Sequence, residues 1–562
     1  MKPQYIDLME NVLNAYSDED IYNYTKSVVT DGLKEHGYPR LTANIGIMLA
    51  HGRRTYLKDH FLLMMDTCCE QMPKRNPDEE FSWRMGNDFS VKEIVFCILE
   101  LEKSNIFDKS TTDGWRKKLS VIVPQTTYSC VSPIPPIRMG NWAAFSAASE
   151  QVRKMAGIGD ESAFVENQVL SQLFSFDENG MYRDPNEPMV YDAVTRLQLA
   201  VALYCGFDGK GRKELEEYML KSAEPTLLMQ SVTGEIPFGG RSNQFLHNEA
   251  FYAALCEFYA TWFKKQGDLK KAGQFKRAAR IATEYTIPYL DTSKTIYHIK
   301  NYYDRSTKYG CEEYAYFDKY MVTAGSWFYL AYYFADDSIE EAECPAEAGK
   351  YTWQTSEHFH KVFANHGGYF AELETEANYH YDASGLGRIH KAGAPSAICC
   401  TVPFTATPDY TIDITNPTPL SIACGAETDG KWSYGWEADA KYSVTEKTTA
   451  EDYSRIGYEC TLSNGAVITH TVTVSKDGLE ISISGAENLK ITLPAFVFDG
   501  KENTQISSNE KTVQINYKDW TCKYETDDIL TDTNLEYANR NGHYKRYDAI
   551  GKNILTVHIT IK

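Results

Sequence analysis

Residues 1–345 carry apolar side chains at the spacing of amphipathic helices. Phe251, Phe258 and Trp262, for example, follow one another at intervals of seven and four residues, which places them on one face of an α-helix. Similar stripes recur without a repeat of fixed period, so a solenoid of identical units is not expected. Many helix pairs without a strict repeat predict an irregular α/α toroid or bundle.

The pattern changes near residue 345. Beyond it, apolar and polar residues alternate, as in AVITHTVTV at 466–474. Turn signals such as SNG at 463–465 and KDG at 476–478 separate these stretches at strand-length spacing. Residues 346–562 are therefore predicted to form an antiparallel sheet domain, most simply a two-layer β-sandwich.

Composition narrows the class of protein. The 562 residues carry a formal net charge of −20, which argues against non-specific nucleic-acid binding because phosphate contacts require a basic face. The chain is also rich in aromatic residues, with 39 Tyr, and tyrosine-rich surfaces suit flat ligands with polar edges, such as sugars. These features favour an acidic enzyme or binding protein.

The N-terminal sequence MKPQYIDLMENVLNAYSDED is acidic and lacks the apolar core of a secretory signal. No stretch approaches the ~18 apolar residues of a membrane span. The 13 Cys are scattered and odd in number, which suits reduced thiols better than a disulfide framework. We therefore expect a cytoplasmic protein with no membrane partner and no nucleic-acid partner.

The segment GGRSNQFLHNE holds the densest set of reactive side chains. Arg241 and Asn243 lie where a helix is predicted to begin, with His247 four residues after Asn243 and therefore on the same face. A helix N-terminus attracts a ligand carboxylate, and Arg241 would add a full positive charge. Asn248 and Glu249 follow, with Glu249 a candidate acid or base. A helix start with capping residues and a core histidine is the structural alternative.

A second segment, residues 309–320, combines tyrosines with carboxylates. Tyrosine is both a stacking surface and, with a lowered pKa, a proton carrier. A carboxylate here is a candidate partner for Glu249 in a two-carboxylate mechanism. The alternative is an aromatic core stripe beside solvated acids. The candidates in this segment are Glu312, Tyr314, Tyr316, Asp318 and Tyr320.

A third cluster contains His380, Asp382, Arg388 and His390. It is polar and rich in glycine, so we expect a loop that reaches back over the helical domain to a cleft between the domains. A hairpin tip with ordinary polar residues is the alternative. Metal binding is not expected, and no cofactor is predicted.

Further candidates occur at predicted helix starts, where the loops of a toroid line one mouth. They are His36, Arg40, Asn44, Asn141, Trp142, Tyr191, Asp192 and Arg196, and a structural role is the alternative for each. The sequence contains no P-loop, dinucleotide fingerprint, nucleophile elbow or H-E-x-x-H motif. Nucleotide-driven, α/β-hydrolase and zincin activities are therefore excluded.

The motifs GGRSNQFLHNEA, YAYFDKYM and YDASGLGRIHK resemble those of heparinase II/III-like carbohydrate-active enzymes. They are most similar to glycoside hydrolase family 154, whose known activity is β-glucuronidase. The resemblance spans nearly the whole chain. It implies an (α/α)6-type helical toroid over 1–345 followed by an antiparallel β-sandwich over 346–562 that contributes a loop to the cleft. It also implies a uronic-acid-containing oligosaccharide or glucuronide as the substrate.

The main expectation is exo-hydrolysis of terminal β-glucuronic acid by two carboxylates. Glu249 is one of the pair, and Glu312, Asp318 or Asp192 is the other. The sugar is expected to bind through a set of polar, cationic and aromatic side chains: Arg241, Asn243, Asn248, Tyr314, Tyr316, Asp192, Arg388, His390 and His380. A homodimer through exposed sheet surface is a further expectation.

Two alternatives stay open. A lyase would cleave beside a uronate by β-elimination, with Tyr320 or His247 removing the C5 proton and a tyrosine protonating the leaving oxygen. Lyases of this architecture use an Asn, a His and a Tyr around the uronate, whereas here Asn243 and His247 share one predicted helix. The other alternative is a sugar-binding protein whose polar clusters are structural.

Overall fold

A computed structural model describes residues 1–74, 87–128, 136–185, 188–291 and 296–562. The α-helices are α1 Lys2–Leu13, α2 Asp18–Asp31, α3 Gly37–Ala50, α4 Lys58–Gln71, α5 Asn87–Ser104, α6 Lys109–Leu119, α7 Pro124–Thr127, α8 Asn141–Met155, α9 Ser162–Leu170, α10 Met189–Tyr204, α11 Arg212–Lys221, α12 Ala223–Met229, α13 His247–Lys265, α14 Leu269–Thr286, α15 Phe317–Phe334 and α16 Pro345–Ala348. Short 3-10 helices lie at Thr55–Leu57, Pro136–Arg138, Leu173–Ser175, Ile287–Tyr289, Arg305–Thr307 and Ser396–Ile398.

The strands are β1 Tyr351–Gln354, β2 Lys361–His366, β3 Tyr369–Glu374, β4 Gly385–Lys391, β5 Cys424–Thr428, β6 Lys431–Tyr434, β7 Lys441–Thr449, β8 Tyr453–Thr461, β9 Val467–Ser475, β10 Gly478–Phe498, β11 Gln505–Ser508, β12 Thr512–Tyr517, β13 Trp520–Glu525, β14 Ile529–Asn539 and β15 Gly542–Ile561. Among the described residues, the helices precede every strand, as the change of hydrophobic period predicts.

Six helices form a closed inner ring. α3 packs on α5, then α8, α10, α13 and α15 follow in order, and α15 packs back on α3. α13 is buried on nearly every face, because its ring neighbours cover two sides and α14 covers the outside. Gly46 of α3 allows close packing, since a side chain there would overlap Cys97 of α5 and Phe61 of α4. The predicted toroid is confirmed.

The strands form two antiparallel sheets. β1 to β4 make a four-stranded sheet in sequence order, and the other eleven strands make a larger sheet around the long pair β10 and β15. The two sheets share one apolar core, which includes Val362 and Leu386 from the small sheet and Ile456 and Ile481 from the large one. The predicted β-sandwich is confirmed.

The small sheet also packs against the toroid. Phe363 and Phe370 of its strands meet Met181, Met189 and Met229 from the helical part in a separate apolar cluster. Two-sided burial explains why β2 and β3 are buried at every position instead of alternating. This contact places the sandwich against one end of the helical ring.

A buried network of charges crosses the same interface. Glu235, before α13, contacts Arg388 of β4 at 3.2 Å and Lys300 at 3.7 Å. Lys300 also contacts Glu249 at 2.8 Å, and Arg388 contacts Glu372 at 3.4 Å. All five side chains are almost fully buried, so each depends on its partners to offset the loss of hydration.

The expected loop at 379–390 is present only over residues 379–384, where Asp382 accepts a hydrogen bond from the Gly240 amide of the helical part. The rest of the segment differs from the expectation. Residues 385–391 form the buried strand β4, which pairs with β3 along its length. The polar sequence is compatible with a buried strand because Glu235 and Glu372 neutralise Arg388, and because Ser231 and Thr401 hydrogen-bond the ring of His390. The polarity of this segment thus serves the interface between the domains.

Every cysteine that the structure describes is buried and free. Within the same ranges, no helix is long and apolar enough to cross a membrane.

Arg388→Leu tests the buried network. Removing the guanidinium leaves Glu235 with only Lys300 and Glu372 with only Lys361, so we expect the free energy of unfolding to fall by about 2–4 kcal/mol. Urea denaturation measures this change. Lys109→Ala is the control, since it breaks the exposed pair with Asp113 and should cost less than about 1 kcal/mol. Equal losses for the two variants would contradict the structural role of the network.

Candidate active site

A cleft of about 1070 Å³ opens at one end of the helical ring. Each inner helix reaches it with its N-terminal end or the residues just before it. The lining includes, from the six helices in turn, His36, Phe89, Asn141, Tyr191, Arg241 and Tyr320. Because helix N-termini carry partial positive charge and unpaired N–H groups, this end of the ring favours an anionic ligand.

Arg241 is the central cation of the cleft. Its guanidinium contacts the Asp184 carboxylate at 2.5 Å and donates to the Pro185 carbonyl at 3.0 Å. It also lies over the Tyr191 ring, 4.2 Å from the centroid. These contacts hold a partly exposed guanidinium in one place, where it can pair with a ligand carboxylate.

The loop that carries Arg241 depends on Gly240. Its φ is 73°, and a side chain there would lie 2.8 Å from the Cα of Pro188. The Gly240 amide donates to Asp382 Oδ2 at 3.2 Å, which ties the loop to the sandwich. The predicted helix start differs here, because α13 begins at His247 and Asn243 lies in the preceding turn. Neither Ser242 nor Asn243 caps this helix.

Three hydroxyl groups form a chain along the cleft wall. Ser242 Oγ lies 2.6 Å from the Tyr314 hydroxyl and 3.2 Å from the Tyr191 hydroxyl. Burial, and then the neighbouring Tyr191, raises the pKa of Tyr314 well above its usual value. The Tyr314 phenol is therefore protonated near neutral pH, with a hydrogen-bonded path for its proton.

Glu312 anchors this wall from behind. Its carboxylate accepts two hydrogen bonds from the Arg540 guanidinium, at 2.7 and 2.8 Å, and one from the Ser242 amide at 2.6 Å. Arg540 lies in the turn between β14 and β15 and also donates to the Gly310 carbonyl at 2.7 Å. One buried ion pair thus joins the Arg241 loop, the Tyr314 segment and the sandwich.

His36 enters the cleft in a defined tautomer. Arg40 Nη1 lies 2.8 Å from His36 Nδ1, and since a guanidinium only donates, Nδ1 accepts and Nε2 carries the proton. Burial, Arg40 and Lys319 lower the pKa of His36 well below its usual value. The neutral ring is therefore a hydrogen-bond donor and not a base.

Tyr320 separates the cleft from His247. The two rings stack with their centroids 5.5 Å apart, and burial raises the pKa of Tyr320 well above its usual value. Burial, with His298 and Arg40 nearby, lowers the pKa of His247 to about 3. His247 does not line the cleft, and it supports the tyrosine ring from behind.

A second cavity of about 880 Å³ adjoins the cleft. Tyr314 and Tyr316 line both spaces, so these two rings form the partition between them. Arg305 and Lys308 supply positive charge on the far side, and Tyr381 comes from the sandwich. A ligand longer than the cleft has room to continue past the partition.

The structure brings four of the predicted site residues to the cleft: Arg241, Tyr314, Tyr316 and Tyr320. Glu312 lines the adjoining cavity. The remaining candidates line neither space: Asp192, Asn243, His247, Asn248, Glu249, Asp318, His380, Arg388 and His390. Of the eight residues predicted at helix starts, four line the cleft and four do not: His36, Asn141, Trp142 and Tyr191 line it, and Arg40, Asn44, Asp192 and Arg196 lie elsewhere.

Of the four carboxylates expected to supply a catalytic pair, Glu312 is held by Arg540 in the wall, and the other three lie apart from the cleft. Glu249 is fully buried with Lys300, and Asp192 is paired with Arg196 at 2.6 Å inside the toroid. Asp318 is exposed on the first turn of α15. Each carboxylate therefore has a structural partner or faces away from the cleft. This arrangement differs from the two-carboxylate expectation.

Sequence reasoning missed the other charged residues of the cleft wall. These are Lys34, Glu35, Arg138, Asp184, Glu313 and Lys319, joined by Arg540 behind Glu312. Most of them lie just before an inner helix or in its first turn, so their position at a predicted helix start could have identified them as cleft residues. Arg540 had no such signal, because a hairpin turn of the sandwich brings it to the toroid.

No protein-family model matches this sequence, and no curated protein matches it. Among solved structures, a mutant of heparan sulfate lyase HepC from Pedobacter heparinus is similar over 93% of this chain and 75% of that one, at 10% identity and a TM-score of 0.47. The chondroitin AC lyase of Streptomyces coelicolor A3 is similar over 99% of this chain and 82% of that one, at 11% identity and a TM-score of 0.47. A family 88 glycosyl hydrolase from Bacteroides vulgatus is similar over 58% of this chain and 98% of that one, at 12% identity and a TM-score of 0.35. We therefore base the function on the cleft itself.

Glu312→Gln tests the anchor of the cleft wall. The neutral amide loses the charge-assisted pair with buried Arg540, so we expect the free energy of unfolding to fall by about 2–4 kcal/mol. The matched control is Glu313→Gln, one residue along and exposed, which should change it by less than about 0.5 kcal/mol. Guanidinium denaturation measures the free energy of unfolding of both variants. Similar losses in the two variants would refute the anchoring role of Glu312.

Asp382→Asn tests how the Arg241 loop responds to pH. Burial and the neighbouring Glu374 carboxylate raise the pKa of Asp382, so the folded state favours its protonated form. This contribution to stability is present below the ordinary pKa of about 4 and is lost as the pH rises toward neutrality. The asparagine keeps an oxygen for the Gly240 amide but does not titrate.

We therefore expect the stability of Asp382→Asn, relative to the wild type, to rise by on the order of 1–3 kcal/mol between pH 4 and 7. Urea denaturation at several pH values measures the difference. Parallel stability curves for the two proteins would show that Asp382 has no raised pKa.

Proposed function

We propose that this protein is a carbohydrate-active enzyme that cleaves uronic-acid-containing glycans by β-elimination. The observation that carries the proposal is the chemistry of the cleft, in which the N-terminal ends of five inner helices and the loop before the sixth surround Arg241, Asn141, His36 and a set of phenols. These groups suit a sugar carboxylate and two proton transfers. The proposal therefore prefers the lyase alternative to hydrolysis.

The cationic side of the cleft supports recognition of a uronate. Arg241 is held in place by Asp184 and Tyr191, and the helix N-termini add partial positive charge. Asn141, the first residue of α8, adds an amide whose Nδ2 donates to Asp184. Neutralising the sugar carboxylate is the step that makes its C5 proton acidic enough to remove.

The carboxylates support elimination over hydrolysis. Hydrolysis requires an acid and a base or nucleophile on two facing carboxyl groups. In the described cleft wall, Asp184 is paired with Arg241 and Glu35 with Lys319 at 3.2 Å, and Glu313 is exposed. The Glu249 carboxylate is committed to Lys300 in the interior. The hydroxyl groups of Tyr191 and Tyr314, in contrast, lie along the cleft wall, where each is hydrogen-bonded to Ser242.

We assign Tyr314 as the base and Tyr320 as the acid. The proton of the Tyr314 phenol passes through Ser242 and Tyr191 to solvent in the cleft, and the resulting phenolate accepts the C5 proton. The electrons of the C5–H bond form the C4–C5 double bond, and the C4–O bond breaks. Tyr320, which its raised pKa keeps protonated, donates its proton to the leaving oxygen and regains one from solvent before the next turnover.

Two substrates distinguish the reactions. The first has a uronate with another sugar on its O4, and the second ends in a uronate with a free O4. A lyase produces ultraviolet absorbance from the C4–C5 double bond with the first substrate only. A hydrolase releases saturated uronic acid from the second without absorbance. We expect the first result, and the second result would overturn the proposal in favour of β-glucuronidase-like hydrolysis.

Tyr314→Phe tests the base. Since this variant keeps the ring and removes only the hydroxyl, we expect kcat to fall by about 100-fold or more with a small change in KM. Tyr56→Phe is the control, because its hydroxyl contacts Asp18 on the outer surface, away from the cleft. In the wild type, kcat/KM should rise with pH above neutrality, since the raised pKa of Tyr314 limits the phenolate. Retained activity in Tyr314→Phe would refute the assignment.

A further inference from the structure

A third cavity lies between the toroid and the sandwich, and it shares no lining residue with the cleft. Its volume is about 310 Å³, at the small end of ligand pockets in proteins. Toroid residues 285–289 and 300–302 form one side. Sandwich residues 393–397 and the tip of the β12–β13 hairpin form the other. We call this space the Trp520 pocket.

Aromatic rings form the walls of the Trp520 pocket. Tyr289 and Tyr302 stack on each other, with centroids 5.5 Å apart and planes 18° apart, and Trp520 lies across from the toroid at the start of β13. Gly393 lies beside the indole, and a side chain there would come within 3.4 Å of that ring. Glycine at this position therefore keeps space open next to Trp520.

The floor of the pocket presents polar groups. Asn541 is 3% exposed, and its amide nitrogen donates to Gln244 at 3.2 Å and to the Lys300 carbonyl at 3.1 Å. Its carbonyl oxygen has no hydrogen-bond partner among the described residues. Such an oxygen is costly to bury unpaired, and a ligand hydroxyl would satisfy it.

The charges around the pocket balance one another. The Lys300 ammonium is paired at 2.8 Å with Glu249, which is not one of the residues that line the pocket. The Lys518 ammonium lies over the rings of Tyr302 and Tyr517, 4.9 and 4.7 Å from their centroids. Asp499 accepts the Tyr517 hydroxyl at 2.5 Å. Asp519 adds a second carboxylate, so the described lining of the pocket holds two lysines and two carboxylates and, unlike the cleft, no ring of helix N-termini.

We propose that the Trp520 pocket binds a single uncharged pyranose ring, as a second sugar site separate from the cleft. Aromatic faces pack on the C–H face of a sugar, and the Asn541 oxygen accepts one of its hydroxyl groups. The balanced charge selects a neutral sugar over a uronate. Sugar binding in this pocket does not depend on the reaction in the cleft, so it can be tested separately from the proposed lyase activity.

Saturation-transfer NMR on the full chain tests the proposal with glucose, galactose, N-acetylglucosamine and glucuronate as separate probes. We expect transfer to at least one neutral sugar. Trp520→Ala and Tyr289→Ala should each weaken its binding by about tenfold or more, whereas Trp520→Phe should keep it within about threefold. Thermal unfolding of each variant verifies that it is folded, and the two positions provide independent tests.

Tyr320→Ala distinguishes this pocket from the cleft, because Tyr320 lines the cleft and not the pocket, so neutral-sugar binding should be unchanged. The proposal is overturned if no neutral sugar shows transfer, or if the signal persists in Trp520→Ala and Tyr289→Ala. It is also overturned if glucuronate binds as well as the neutral sugars in Tyr320→Ala. Loss of the signal in Tyr320→Ala alone would assign the sugar to the cleft.

Discussion

The ion pair between Glu312 and Arg540 is the interaction on which the cleft depends. Glu312 comes from the segment before α15, Arg540 from a turn of the sandwich, and Ser242 from the loop before α13. A buried carboxylate must have such partners, because its lost hydration is otherwise not offset. The same contact therefore fixes the relative positions of Arg241 and Tyr314, which lie next to these anchoring residues.

The rest of the interface between the helical ring and the sandwich also depends on pairing of buried charges. The network of Glu235, Lys300, Arg388 and Glu372 places charges of both signs in a space from which water is excluded. Such networks tolerate only arrangements in which every charge is paired, so they specify how two domains meet more than they stabilise the contact. Here the helical ring and the small sheet are joined in the geometry that brings Asp382 to Gly240.

The charge of the cleft differs from that of the whole chain. A net charge of −20 would repel an acidic sugar, yet the ring directs five helix N-termini and the loop before the sixth helix to one end and adds Arg241 there. At short range, fixed dipoles and a held guanidinium outweigh distant surface charges, which salt screens within about 10 Å. The hydroxyl chain of Tyr191, Ser242 and Tyr314 lies beside this cationic region, where charge would change during proton transfer.

The sequence by itself determined the order of the two domains, since the period of apolar residues changes from that of helices to that of strands. It also pointed to His36, Asn141, Tyr191 and Arg241, because residues at the starts of inner helices of a ring share one mouth. Only the tertiary structure decided which polar residues are buried in ion pairs. Glu249 and Arg388 have the residue types of a uronate site, but their partners Lys300 and Glu235 are distant in sequence and meet them only when the domains pack. The spacing of residues along the sequence does not reveal such long-range ion pairs. A charged residue with a structural role therefore cannot be distinguished from a catalytic one before the tertiary structure is known.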